Sequence, residues 1–337
     1  MKKFTHAKFL VVLGILLLCL GHVSGGQALA GSHTLKLATL YSPGRELYKT
    51  VQYFADEVAK KTNGEVKFKI FPGNSLVPAK QALSSVHSGV LDAAFVPGAY
   101  EQSLWPLTGM LMTFGAPNIT YAKWRTIHGP IRDIINKHLN INVVIVSMPH
   151  VLHYLFYSKA PVTGAMKDFQ NTLVRSAGGA YDASFKALGC APVKIPASES
   201  YMALQKGTID SGWNIYSRYV GAKLYEVAPN VMLVPKGMII CGQYFVINKG
   251  VWESLSSKNR KAIMEVGSRV VSFTNDMSAA SDKLILDKKL PALKIQPKVM
   301  SQAVNQELLN KLAPTWGPVI QKNGKPGQEI AKILGVR

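Results

Sequence analysis

The sequence predicts an α/β protein of two domains, on three observations. The chain has 337 residues, and at roughly 150 residues per domain that length favours two. Its hydrophobic fraction is 47% against 17% charged residues, which suits a packed core and excludes general disorder. Strand-like and helix-like segments alternate in each half, a pattern that favours parallel sheets with right-handed crossovers.

Residues 1–30 read as a secretory signal. Lys2, Lys3 and Lys8 form a basic start, Phe9 to Leu20 an apolar run, and Ala28-Leu29-Ala30 a small-x-small cleavage site. The run is shorter than the roughly 20 residues that span a bilayer. No later run is long enough to do so, so an exported, soluble product is expected. Cleavage would leave a net charge of +17 on 307 residues.

After cleavage, Leu35 to Thr39 reads as a strand. Ser42 is a candidate N-cap with Pro43 at the first helical position, and Leu47, Val51, Phe54 and Val58 recur at helical spacing up to Asn63-Gly64. Val66, Phe68 and Ile70 alternate with charged residues as a half-buried strand. A helix from Pro78 to His87, a glycine stop at Gly89 and an apolar strand from Leu91 to Val96 complete a β-α-β-α-β run. In the second half, strands are expected at Asn142–Met148, Thr172–Arg175 and Pro192–Ile195, with helices at Tyr181–Leu188 and from a Ser198 cap to Gly207. The segments Val86–Asp92 and Leu204–Asp210 share one order: a helix end, a glycine, one residue, an aliphatic and an aspartate. Duplication and chance account for this about equally. Beyond Gly250 the chain reads as helical: Trp252 to about Lys289, long or broken, then Ser301–Gln321 and Gln328–Leu334, with a short strand at Leu293–Ile295.

Enzyme signatures are missing: no G-x-S-x-G, G-x-x-x-x-G-K-[ST], H-E-x-x-H or C-x-x-C occurs. His150 and His153 are three residues apart, and Pro149 before them favours a pocket or surface role over metal ligation. No metal, cofactor or catalytic residue is expected. The net charge of +20 is spread along the chain rather than striped with aromatics, so nucleic acid is not an expected partner. Asn118-Ile119-Thr120 is a weak glycosylation sequon. Cys190 and Cys241 could pair or could be two buried thiols; the sequence leaves both open.

Arg175 is the most informative charge. It ends a strand and precedes Ser176-Ala177-Gly178-Gly179 and a helix. In open α/β sheets, ligands bind beyond the carboxyl ends of the strands. A guanidinium there can fork both oxygens of a carboxylate, beside amides of a helix start that glycines leave accessible. From the local sequence alone, a clamp and an exposed loop arginine are equally good readings.

From Leu35 to about Gln321 the chain resembles the solute-binding subunits of tripartite ATP-independent periplasmic (TRAP) transporters, of the DctP type. The match is carried by Leu35–Thr39, Phe54–Val58, Thr62–Val66, Phe71–Leu76, Ser88–Asp92, Lys159–Val162, Leu173–Arg175, Leu188-Gly189, Pro192-Val193 and Glu199–Asp210. Each fragment is short; their order and spacing make the whole specific. The resemblance implies a two-domain periplasmic-binding-protein fold with a hinge, an interdomain cleft and a long C-terminal helix. It further implies capture of a small organic acid by cleft closure and delivery to TRAP membrane permease subunits. The periplasm is the implied location. The expected division is 31–152 plus 215–249 for one domain, 153–214 plus 250–300 for the other, and 301–337 as helices packing on both.

By the same resemblance, Arg175 forms the main salt bridge to a substrate carboxylate and Asn214 helps hold it. Two departures bear on specificity. Where many relatives carry a second arginine, this chain reads Leu152-His153-Tyr154-Leu155, and Trp213 stands where a glutamate often precedes the asparagine. The expectation is a monocarboxylate with an apolar or aromatic body, packed on Tyr154 and Trp213. His153 and Arg218 are further candidates. The rival readings are a sensor or adhesin module using the same pocket, and, with less support, an exported enzyme acting on organic acids.

Overall fold

Alternating hydrophobicity and glycine-stopped helices build two sheets of similar design. The computed structural model describes residues 33–100, 102–116, 119–151, 153–235 and 241–336, without the side chains of Val151 and Cys241. The expected signal segment 1–30, Asn118 of the expected sequon, and Leu152 lie outside the described residues.

In the first half, β1 (His33–Thr39), α1 (Glu46–Lys61), β2 (Val66–Phe71), α2 (Ala82–His87) and β3 (Ala93–Pro97) follow one another. β1 pairs in parallel with both β2 and β3. A loop with a short 3-10 helix (Pro106–Met112) and α3 (Tyr121–His138) lead to β4 (Val143–Ser147) and β5 (His150–Val151). The second half runs β6 (Tyr154–Ser158), β7 (Leu173–Ser176), α4 (Ala180–Ala187), β8 (Ala191–Lys194), α5 (Ser200–Gln205), β9 (Ser211–Ile215), α6 (Tyr216–Gly221) and β10 (Asn230–Leu233). Then come β11 (Cys241–Asn248), α7 (Lys249–Ser254), α8 (Ser257–Leu284), β12 (Lys298–Val299), α9 (Gln302–Leu312), α10 (Trp316–Lys322) and α11 (Gly324–Leu334).

The sheet orders are β2-β1-β3-β11-β4, with β5 on β11, and β12-β10-β6-β9-β7-β8. β7 is parallel to both β8 and β9. Each lobe thus holds three parallel strands in the order 2-1-3, closed by an antiparallel strand: β11 on β3 in one and β6 on β9 in the other. The repeated segment sits at the same place in both. Gly89 and Gly207 take the left-handed φ values (82° and 73°) that end helices. Asp92 then accepts the Lys36 N–H of β1 at 2.7 Å, and Asp210 the Leu173 N–H of β7 at 3.3 Å. The shared sequence order therefore has a shared structural job, tying each third strand to its lobe's first.

The division between lobes differs from the expected one. The chain leaves the first sheet between β5 and β6 and returns only between β10 and β11, because β10 pairs antiparallel with β6. Helix α8 does not belong to the second lobe. Its Ile263, Val266 and Val270 join Leu37, Phe54 and Phe245 in the first lobe's core; it is the chain beyond its end, with Ile285, Leu290 and Ile295, that enters the second. Gly267 lets α8 lie directly on β4, since a Cβ there would overlap the Val146 carbonyl oxygen. Helices α9 to α11 pack on both lobes: α9 against α4, and α11 against α3.

Three local expectations also change. Helix α1 starts at Glu46 with no side-chain cap rather than at Pro43, because Gly44 holds φ +82° and cannot enter an α-helix. The expected strand at Leu293–Ile295 is instead the exit from a short helix (Leu290–Ala292), and the strand forms later, as β12. Ser198 lies inside a 3-10 turn, with α5 starting at Ser200.

Candidate binding cleft

The parallel strands of both lobes point their carboxyl ends at one cavity of about 120 Å³. From the first lobe come Leu40 and Tyr41 after β1, and Pro97, Ala99 and Tyr100 at and after β3. From the second come Arg175 on β7, Ala177 just after it, Ala197 beyond β8, and Trp213, Asn214 and Ile215 at the end of β9. This is the crevice position at which open α/β sheets take ligands.

Of the six residues expected in the site, Arg175, Asn214, Trp213, Tyr154 and Arg218 line this cavity. Arg175 is 9% exposed, and its Nε donates to the Ile195 carbonyl at 3.0 Å. That bond fixes the side chain and leaves its Nη groups without an acidic partner among the described residues. Asn214 takes the Ile215 N–H on its Oδ1 at 3.0 Å and lies beside the Tyr157 hydroxyl. Arg218, on α6, donates from Nη2 to the Ala197 carbonyl at 3.0 Å. Burial pulls its pKa down; Tyr41 pushes it up and Arg45 down.

Trp213 combines packing with lining. It stacks on Phe169 at 5.6 Å between centroids, with Phe156 at 5.1 Å and Phe114 at 6.2 Å, while its buried Nε1 has no partner among the described residues. β6 alternates about this cluster: Tyr154 and Phe156 face it, while Leu155 and Tyr157 belong to the second lobe's inner core. The Tyr157 hydroxyl sits so close to Gly212 that a Cβ there would overlap it.

His153 is not in the cavity. It precedes β6, its side chain is half exposed, and its Nδ1 meets the buried Asp282 carboxylate of α8 at 2.8 Å. Burial pushes the Asp282 carboxyl up and His153 pulls it back down. The histidine therefore ties the start of β6, in the second lobe, to the end of α8, which packs on the first. The Gly178-Gly179 turn does not offer the expected anion cradle either. The Ala180 N–H at the helix start donates to Gln102 Oε1 of the first lobe at 3.3 Å, and Gly178 N–H to Ser176 Oγ at 2.9 Å.

Several lining residues were not expected. Tyr41 donates to Gln243 Oε1 at 2.9 Å, and Tyr181 and Phe185 present one face of α4. The strand-end rule that singled out Arg175 points equally to Tyr41 and Tyr100. Gln243 carried a different signal, a polar residue within an apolar strand. No acidic side chain lines the cavity, and no cluster of metal-ligating residues occurs, among the described residues. Cys190 is a free, buried thiol.

The two lobes touch across the cleft mouth. Arg45 Nη1 donates to the Gly221 carbonyl at 2.7 Å, beside a larger groove of about 480 Å³ that shares Tyr41 and Arg218 with the cavity. No helix among the described residues is long and apolar enough to cross a membrane.

Comparison with known proteins places this architecture. Residues 37–323 match the family described as bacterial extracellular solute-binding protein, family 7 (DctP). A solute-binding protein of Albidiferax ferrireducens is 25% identical over 242 residues, covering 69% of this chain and 70% of that protein. Among solved structures, a TRAP periplasmic solute-binding protein from Desulfovibrio salexigens with bound orotic acid superposes with TM-score 0.82. It is 22% identical, and the match covers 90% of this chain and 97% of that one. A marine metagenome TRAP solute-binding protein in complex with pyroglutamate gives TM-score 0.79 at 23% identity, covering 90% and 99%.

Proposed function

The chain belongs to the bacterial extracellular solute-binding protein family 7, and from that premise we propose that it captures a small organic acid between its lobes and hands it to a TRAP-type membrane permease. The observation that carries this reading is Arg175. It is a nearly buried guanidinium at a strand's carboxyl end, held by Ile195 and aimed by no acid, in a cavity with tyrosine, phenylalanine and tryptophan walls.

In the proposed mechanism, Arg175 forks the carboxylate of the ligand. The body packs against Tyr154 and Trp213 on the second lobe, and Tyr41 and Tyr100 close over it from the first. The proposed class is a monocarboxylate with an apolar or aromatic body. A cavity near 120 Å³ has room for about one ring, since a cavity of roughly 150 Å³ accepts benzene. The acids bound by the two solved relatives, orotic acid and pyroglutamate, are of this size. A ligand touching both lobes stabilises the closed arrangement in proportion to its extra contacts there, which makes closure the readout of occupancy.

A thermal-shift screen of organic acids tests the reading. A ligand at about 100 times its Kd stabilises the protein by about 2.7 kcal/mol. Arg175→Gln should abolish the shift for every carboxylate; a variant that retains wild-type affinity refutes the clamp. Turnover of a bound acid, followed by mass spectrometry, would overturn the binding-protein reading.

A further inference from the structure

The cavity contains a second arginine to which carboxylate capture assigns no task. We infer that Arg218 reads a second oxygen on the ligand, so that the preferred solute is a small monocarboxylate whose otherwise apolar or aromatic body carries a carbonyl or hydroxyl oxygen away from the group held by Arg175. The inference rests on the proposed capture of a carboxylate by Arg175 and adds a specificity-determining residue to that site.

The two guanidiniums are held by one short segment. Arg175 Nε donates to the Ile195 carbonyl and Arg218 Nη2 to the Ala197 carbonyl, each at 3.0 Å. Pro196 between them is extended, with φ −59° and ψ 147°. Residues two apart on such a chain are separated by about 6–7 Å. One ring or five-carbon chain with oxygens at both ends spans that interval. Both arginines also act electrostatically on the buried Tyr157 hydroxyl, against the upward push of burial on its pKa. Both therefore lie near that hydroxyl, and both line the one cavity.

Arg218 also has unmet hydrogen-bonding capacity. Its Nε is buried and has no partner among the described residues, and no acidic residue there pairs with it. A buried N–H left unpaired is costly, and a ligand oxygen relieves that cost only in the bound state. Arg218 lies where the cavity meets the outer groove that also contains Arg45 and Lys49, so the second oxygen would sit on the mouth side of the ligand. The loss of arginine at Tyr154 is thereby offset by one from a different element.

Matched acids decide the matter. Isothermal titration of the full chain with pentanoate, 4-oxopentanoate and glutarate varies only the far end, as methyl, neutral oxygen or carboxylate. Pyroglutamate against cyclopentanecarboxylate repeats the comparison on a ring. Wild-type protein should prefer the oxygenated member of at least one series by about 10- to 100-fold, as expected for a charged hydrogen bond. Arg218→Gln should reduce that preference to under about threefold, the ratio within each series cancelling any general loss of affinity for anions. Arg218→Lys, the control for folding and charge, should restore it in part. Equal affinity within both series, no binding of any oxygenated probe at 10 mM, or a preference that survives Arg218→Gln overturns the inference. Arg175→Gln separates the two ideas: if it fails to weaken any acid, the carboxylate clamp is wrong, whereas a failure at Arg218 alone leaves the clamp standing.

Discussion

The contact between Arg45 and Gly221 should set how long a ligand stays. Arg45 precedes α1 in the first lobe and donates from Nη1 to the Gly221 carbonyl at 2.7 Å, at the end of α6 in the second. The last carbonyls of a helix lack intrahelical donors and carry the negative end of its dipole, so a guanidinium is well placed there. A charge-assisted bond is worth about 1.5–3 kcal/mol when shielded. Arg45 is exposed, and solvent screening reduces this to about 0.5–1 kcal/mol. The bond exists only when the lobes are together. Arg45→Ala should therefore lower the closed-to-open ratio by about two- to fivefold and raise koff by up to the same factor. Stopped-flow tryptophan fluorescence, with ligand chased by excess competitor, measures koff directly. Gly221→Ala is an independent route to the same end, because a Cβ there would lie 2.7 Å from Arg45 Nη1 and displace it. Arg45 also lines the outer groove, so its loss can slow association by weakening attraction of the anion. If both variants keep wild-type koff and only kon of Arg45→Ala falls, the residue steers ligands and does not latch the lobes.

Other perturbations separate packing from binding. Gly267→Ala should lower stability by about 1–3 kcal/mol in urea titrations, despite the helix propensity of alanine, because its Cβ would overlap the Val146 carbonyl. Unchanged or raised stability would show that α8 can move off β4. Trp213→Phe should weaken ligand binding while leaving the unfolding free energy from urea titration within about 1 kcal/mol of wild type; the reverse pattern would make Trp213 a core residue only, held by Phe156 and Phe169. Burial drives the pKa of His150 down to about 3 and that of His128 down to about 4. Both are neutral when folded and take up protons near pH 6.5 when unfolded. Their contribution is complete above that pH and declines as the pH falls toward 4, at up to about 1.4 kcal/mol per pH unit for each group. His150→Asn should flatten that slope in pH-dependent urea unfolding; an unchanged slope would assign it to other groups.

How much of this was legible beforehand follows from the range of the forces involved. Each β-α-β run was readable because periodicity and glycine stops are local, and the C-ends of parallel strands must converge on one crevice; that rule reached Arg175 without a partner in view. The lobe boundaries were not readable in the same way. Asn230–Leu233 joins the second sheet because β6 offers it an antiparallel edge, and nothing within those four residues names β6 as the partner. Helix α8 carries an apolar face that suits either lobe, and Gly267 against Val146 decides for the first. The pair His153 and Tyr154 shows the limit most sharply. The sequence offers both as pocket residues, yet neighbours on an extended chain point to opposite sides. Tyr154 faces the cavity, and His153 is turned outward to Asp282 of a helix more than a hundred residues away. Arg218, also a candidate, does line the cavity, but what holds it there was not readable: the Ala197 carbonyl comes from a segment placed there only by the β7–β8 pairing. Site residues on strand ends are thus accessible to sequence reasoning, while those fixed by a second element's backbone become visible only once the sheets are assembled.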